Sequence, residues 1–135
     1  MPESSPEERE IYEFIWDEID SVPHLEALLL LWNSKPKTWS VGEVGQRLYI
    51  DPKRALFLLQ DLARQRFLAV VSADSEQYRY ESRSEQTDRL IAILDLTYRR
   101  EIVRVSTIIH SKASSAVRDF ARAFRFTKER EKGQE

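Results

Sequence analysis

Apolar residues in the first part of the chain recur at helical spacing. Ile11, Phe14, Ile15, Ile19 and Val22 form one stripe on an otherwise acidic segment. Ser5-Pro6 stands ahead of it, a capping serine followed by a first-position proline, and this pairing predicts the helix start. Ser21-Val22-Pro23 makes a second break and restart. From His24 to Trp32 the residues Leu25, Leu28, Leu29, Leu31 and Trp32 leave little polar face. A helix apolar nearly all round belongs in a core. Asn33 to Thr38, with Lys35-Pro36-Lys37, reads as a loop.

The next signals are local and specific. Ser40-Val41-Gly42-Glu43 has the spacing of a capping box, with Trp39 and Val44 at the two positions of a hydrophobic staple. They predict a short helix from Val41 to about Leu48. Tyr49-Ile50 makes a turn, and Asp51-Pro52 restarts the chain with a capping acid and a proline. Ala55, Leu59 and Leu62 set the buried face of the new helix, flanked by Leu58 and Ala63, with its end near Gln65 or Arg66. The period then changes. Phe67-Leu68-Ala69-Val70-Val71 is rich in strand formers, Ser72 to Glu76 is a polar turn, and Gln77-Tyr78-Arg79-Tyr80-Glu81 alternates as a strand does. A long helix is expected from Ser84 to Gln86 onward, broken at Ser111 to Ser115. Ile91, Leu94, Tyr98, Ile102, Val105 and Ile108 or Ile109 give it a near-heptad seam. A last short helix carries Val117, Phe120, Ala121 and Phe124 on one face, with Arg118, Arg122 and Arg125 around the other. The charged stretch from Thr127 to Glu135 is expected to fray.

Two short helices joined by a tight turn and followed by a hairpin resemble a helix-turn-helix with its wing. The segment from Ser40 to Asp51 is similar to the first helix and turn, with Gly45 where the two helices touch and Leu48 and Ile50 flanking the turn. The segment from Leu59 to Leu68 resembles the end of a recognition helix running into the wing. The likeness is to bacterial regulators of the MarR and PadR kind. It departs at Arg66, where a glycine commonly closes the recognition helix.

The resemblance implies a mainly α fold with a small β-hairpin, a winged helix-turn-helix with an N-terminal helix and a long C-terminal dimerisation helix. Residues 1–22 are expected to form an acidic helical arm, 23–83 the winged helix, and 84–135 the dimerisation region with its charged tail. It further implies a DNA-binding transcriptional regulator acting as a homodimer. Arg47, Lys53, Arg54, Gln60, Arg64 and Arg79 would approach DNA. Ile91, Leu94, Tyr98, Ile102, Val105 and Ile109 would line the dimer interface.

Charge complicates that reading. The 135 residues carry a formal net charge of −2. Residues 1–20 hold eight acids against Arg9, a net of −7, and residues 99–135 hold ten bases against five acids, a net of +5. The two ends would attract each other within one chain or across a dimer, or the basic end would serve as a binding tail. Between residues 40 and 83 seven bases face six acids, a small positive excess for a surface that must hold phosphates. Leu56 and Phe57 are poor base readers, and Asp74 and Glu76 at the wing tip would face phosphate oxygens. Two alternatives stay open. In one, Leu56 and Phe57 anchor a protein partner on a winged helix that binds no DNA. In the other, the acidic N-terminal helix packs across that face.

Enzyme chemistry finds little support. There are no cysteines, and His24 and His110 lie far apart, so spacing offers no metal site and no cofactor is expected. His24 is expected at the surface or a boundary, beside Glu26. Three glycines exclude a glycine-rich phosphate cradle. Trp16, Trp32 and Trp39 either line a small-molecule pocket or serve as core and staple, the second being favoured. The longest apolar run, Ala27 to Trp32, is far short of the roughly 20 residues that span a bilayer. No basic segment with an apolar core follows Met1. A cytoplasmic protein that avoids membranes is expected.

Overall fold

A computed structural model of the chain describes residues 6–72, 74 and 76–112. Its elements are α1 (Pro6–Glu18), α2 (Val22–Ser34), β1 (Trp39–Ser40), α3 (Val41–Leu48), α4 (Pro52–Arg64), β2 (Leu68–Ser72), β3 (Gln77–Tyr80) and α5 (Glu85–Arg100). The chain is helical again, as α6, from 102 to the last described residue, 112. The final predicted helix, with Phe120 and Phe124, lies outside the described residues. No helix among them is long and apolar enough to cross a membrane.

Helix α2 runs through the centre, with Leu25, Ala27, Leu28 and Leu31 fully buried. Around it gather Ile11, Ile15 and Ile19 from α1, Leu58, Leu59 and Leu62 from α4, Tyr78 and Tyr80 from β3, and Ile91 and Leu94 from α5. α1 therefore shares the core and packs on α5. Its acids meet bases from the second half of the same chain. Glu10 pairs with Arg89, Glu18 with Arg83 and Asp20 with Lys112, and the Arg104 guanidinium lies over the Tyr12 ring. Among the described residues the Asp20–Lys112 pair joins the acidic and basic ends within one chain.

The predicted cap at Ser5 lies outside the described residues; the caps of the later helices are made. Ser21 Oγ accepts from the His24 N–H at 3.2 Å. The Glu43 N–H donates to Ser40 Oγ at 3.2 Å while the Ser40 N–H donates to Glu43 Oε1 at 3.0 Å, a complete capping box. That backbone bond from Ser40 holds the Glu43 carboxyl below its ordinary range. Asp51 accepts from the Lys53 N–H at 2.7 Å, and Ser84 from the Thr87 N–H at 3.1 Å. Gly45 stands where α3 meets α4 closely: a Cβ there would sit 3.1 Å from the Ile50 carbonyl oxygen, a tight contact. α4 ends in a Schellman motif. The Phe67 N–H reaches the Leu62 carbonyl and the Arg66 N–H the Ala63 carbonyl. Arg66 takes the left-handed conformation, φ 68°, that a glycine would adopt without steric cost.

The sheet is antiparallel in the order β1-β3-β2. β1, which hydrophobic patterning does not predict, pairs Trp39 with Tyr78. In the β2–β3 hairpin Leu68 faces Tyr80, and a register shift follows Val70. The predicted long helix is not continuous. Glu101 leaves helical geometry at φ −131°, ψ 53°, yet its N–H still reaches the Thr97 carbonyl and its own carbonyl accepts from Val105. Beyond this kink Val105 and Ile109 are buried in the chain's own core, as Ile91 and Leu94 are before it. Of the six seam positions expected at a dimer interface, those four already have partners within the chain. Tyr98 is half-buried, and Ile102 keeps about half its surface exposed.

Candidate nucleic-acid interface

Helix α4 has two distinct faces. Ala55, Leu58, Leu59 and Leu62 are buried. Lys53, Phe57, Gln60 and Arg64 are exposed, and their spacing sets them in one stripe along the helix. Arg54 is exposed at its margin. The structure thus brings four of the six residues expected at DNA onto one element. Arg79 is exposed on β3 between the inward-facing Tyr78 and Tyr80. Arg47 is elsewhere, at the end of α3. It borders a groove of about 420 Å³ between α2, α3 and α5, lined also by Glu26, Asn33, Asp95, Tyr98 and Arg99.

The stripe is not purely cationic. Phe57 is 55% exposed and meets the His24 ring edge-on, centroids 6.0 Å apart. Leu56, expected to stand beside it, is half-buried. α1 does not pack across this face among the described residues, so the covered-face alternative fails; it lies on α5 instead. Arg64 is paired along the helix with Asp61, which neutralises one base of the outward stripe. Asp74 is exposed at the wing tip and Glu76 is held at φ 47°. Val70 and Val71 on β2 each leave about half their surface in solvent.

Two features were not legible from the pattern. Tyr49, in the turn between α3 and α4, is 94% exposed with φ 58°, a left-handed conformation that costs a non-glycine residue about 1–2 kcal/mol. It lines a shallow surface groove with Lys37, Trp39, Glu43, Gln46 and Arg47. His24, expected at a surface or boundary, is only 6% exposed. Its Nδ1 lies 2.6 Å from Ser21 Oγ and its Nε2 2.8 Å from Asp61 Oδ2, which ties α2 to the recognition-helix position. Burial lowers the His24 pKa; Asp20 opposes this, and Arg54 and Lys112 reinforce it. The three tryptophans do not share a pocket. Trp39 is buried and donates to Ser34 Oγ at 2.8 Å, Trp32 packs on Tyr80, and Trp16 is about half exposed. The Ser21-x-x-His24 spacing was the one available sign of the buried histidine.

No family model matches the sequence, and no curated protein matches it. Solved structures do. The multiple antibiotic-resistance repressor MarR from Listeria monocytogenes 4b F2365 superposes with a TM-score of 0.50 at 10% identity, over 87% of this chain and 81% of that one. A MarR family protein from Bacillus stearothermophilus gives 0.49 at 18% identity, over 91% and 83%. MepR, a transcription regulator of the Staphylococcus aureus multidrug efflux pump MepA, gives 0.48 at 10% identity, over 87% and 90%. The helix-turn-helix, its hairpin and the Listeria superposition agree on the architecture: a winged helix-turn-helix.

Proposed function

Proceeding from the winged helix-turn-helix fold, we propose that the chain is a cytoplasmic, homodimeric transcriptional regulator that binds double-stranded DNA. One observation carries the reading. α4 is capped at both ends, packed on one face, and presents Lys53, Gln60 and Arg64 in a single outward stripe with Arg54 beside it. Arg, Lys and Gln are side chains that reach base edges and phosphates in a major groove. Arg79 would meet the backbone from the wing. Arg47, remote from that stripe, would touch phosphate only at the margin, with Tyr49 beside it. The Listeria protein that shares the fold is a repressor by its name. Dimerisation would double a footprint that is weakly basic in one subunit. Leu96, Ile102 and Val103, large aliphatics half or more exposed around the Glu101 kink, supply an apolar surface for it. The test is binding of the full chain to fragments of its own genome across a salt series. Affinity that falls steeply as salt rises supports the reading, and no binding at low ionic strength refutes it.

Phe57 supports a second reading, a winged helix that binds protein. An aromatic 55% exposed in the middle of a recognition stripe, with acids at the wing tip, suits a protein groove better than a phosphate backbone. Here Phe57→Ala loses a partner recovered from DNase-treated lysate while the melting temperature holds. A mutant that keeps the partner, or that mainly loses thermal stability, ends the idea.

A further inference from the structure

Chain positions far apart in sequence converge at the junction of α1, α2 and α4. Asp20 leaves α1, His24 sits in the first turn of α2, and Asp61 lies on α4. One ligand atom from each lies within 4.8 Å of the others. Imidazole nitrogen and carboxylate oxygen are the donors that zinc and similar divalent ions take. We propose that Asp20, His24 and Asp61 bind a divalent transition-metal ion, with zinc as the probe, and that the ion displaces the two side-chain cations that hold these carboxylates.

The histidine is what separates this cluster from a patch of acids. The residue is 6% exposed and its ring is fixed by Ser21 Oγ, 2.6 Å from Nδ1, so that Nε2 points at Asp61. Ligating histidines are oriented in this way by a polar group on the other ring nitrogen. In the metal-free chain Asp61 can only accept, so Nε2–H donates to it and the Ser21 hydroxyl donates to Nδ1. On binding, the ion takes Nε2, and the ring proton moves to Nδ1 to be donated to Ser21 Oγ. Burial favours the neutral ring, the form that ligates.

The site already attracts cations. Lys112 Nζ lies 3.4 Å from Asp20 Oδ1 and 3.2 Å from the Ile19 carbonyl oxygen, and Arg64 pairs with Asp61. Ligands on one ion at about 2.0–2.2 Å sit closer together than these do. Asp20, which is exposed, is the residue free to close the gap. Drawing Asp61 onto an ion releases Arg64. If the DNA reading above holds, that returns a base to the recognition stripe and couples metal binding to DNA binding. The metal site itself does not depend on that reading.

The test is zinc binding to the full chain, measured by competition with a chromophoric chelator. One equivalent is expected. Asp20→Asn changes only an exposed side chain, so the fold survives, and it should weaken binding about tenfold or more. Lys112→Gln removes a competing cation and should tighten binding, a change of opposite sign that a merely structural cluster would not give. His110→Gln, at the exposed second histidine, should change nothing. No stoichiometric binding would overturn the site, and so would binding that survives Asp20→Asn or disappears with His110→Gln.

Discussion

α4 and the α5–α6 pair both bury a regular apolar stripe, and they differ in what they leave outside. α4 buries Ala55, Leu58, Leu59 and Leu62 and shows solvent three bases, an amide and one aromatic ring. α5 and α6 bury Ile91, Leu94, Val105 and Ile109 and still expose Leu96, Ile102 and Val103. A helix whose outer face is cationic and hydrogen-bonding suits a wet, charged partner such as DNA. A helix pair with aliphatics on both sides suits an apolar partner such as a second subunit. The same periodicity therefore leaves two different outer faces, and under the proposed function each would meet a different partner.

The largest test sets one buried leucine against another. Leu59→Ala in α4 and Leu94→Ala in α5 should each cost about 2–5 kcal/mol of stability in denaturant unfolding. Neither cost should depend on protein concentration, because both side chains are buried within one chain. A Leu94→Ala penalty that grows with concentration would move that residue into the interface and break the contrast. Next in size is the cap that begins the helix-turn-helix. Ser40→Ala removes one half of the box and should lower stability by about 1 kcal/mol; an unchanged melting temperature would mean the box adds nothing.

A gain of stability is expected from Arg66→Gly. The left-handed φ of 68° suits glycine, and relief of that strain should outweigh the added freedom of the unfolded chain by roughly 0.5–1 kcal/mol. Loss of stability would show that the Arg66 side chain contributes something the backbone does not reveal. The smallest effect is pH-dependent. Burial holds the His24 pKa below the ordinary 6.5, so as pH falls through 6.5 the unfolded chain takes up protons first. The His24 contribution is complete above that value and shrinks below it. Wild type should lose stability relative to His24→Gln on acidification through this window; parallel curves would contradict the assignment.

How much the sequence showed depends on how local the cause was. The Ser40–Glu43 box, the Trp39–Val44 staple and the Asp51-Pro52 restart each lie within a few residues; the box and the restart are made, and Trp39 and Val44 are both buried in the core. Lys53, Gln60 and Arg64 followed from the buried face of the same helix. Strand β1 was hidden because two residues become a strand only by pairing with Tyr78, distant in sequence. The Glu101 kink has no proline or glycine to announce it, and the seam pattern cannot say whether its partner is the same chain or another. His24 and Asp61 are 37 residues apart, so their contact is a product of the tertiary fold.

The central claim is that α4 meets DNA through its basic stripe, and the salt dependence of binding tests it most directly. For wild type and for Lys53→Ala/Arg54→Ala, the logarithm of the binding constant to one genomic fragment is plotted against the logarithm of salt concentration. If both side chains touch phosphate, the double mutant's slope should be shallower by up to about two units. Equal slopes, with binding otherwise intact, would place the contact elsewhere on the molecule and contradict the assignment of α4.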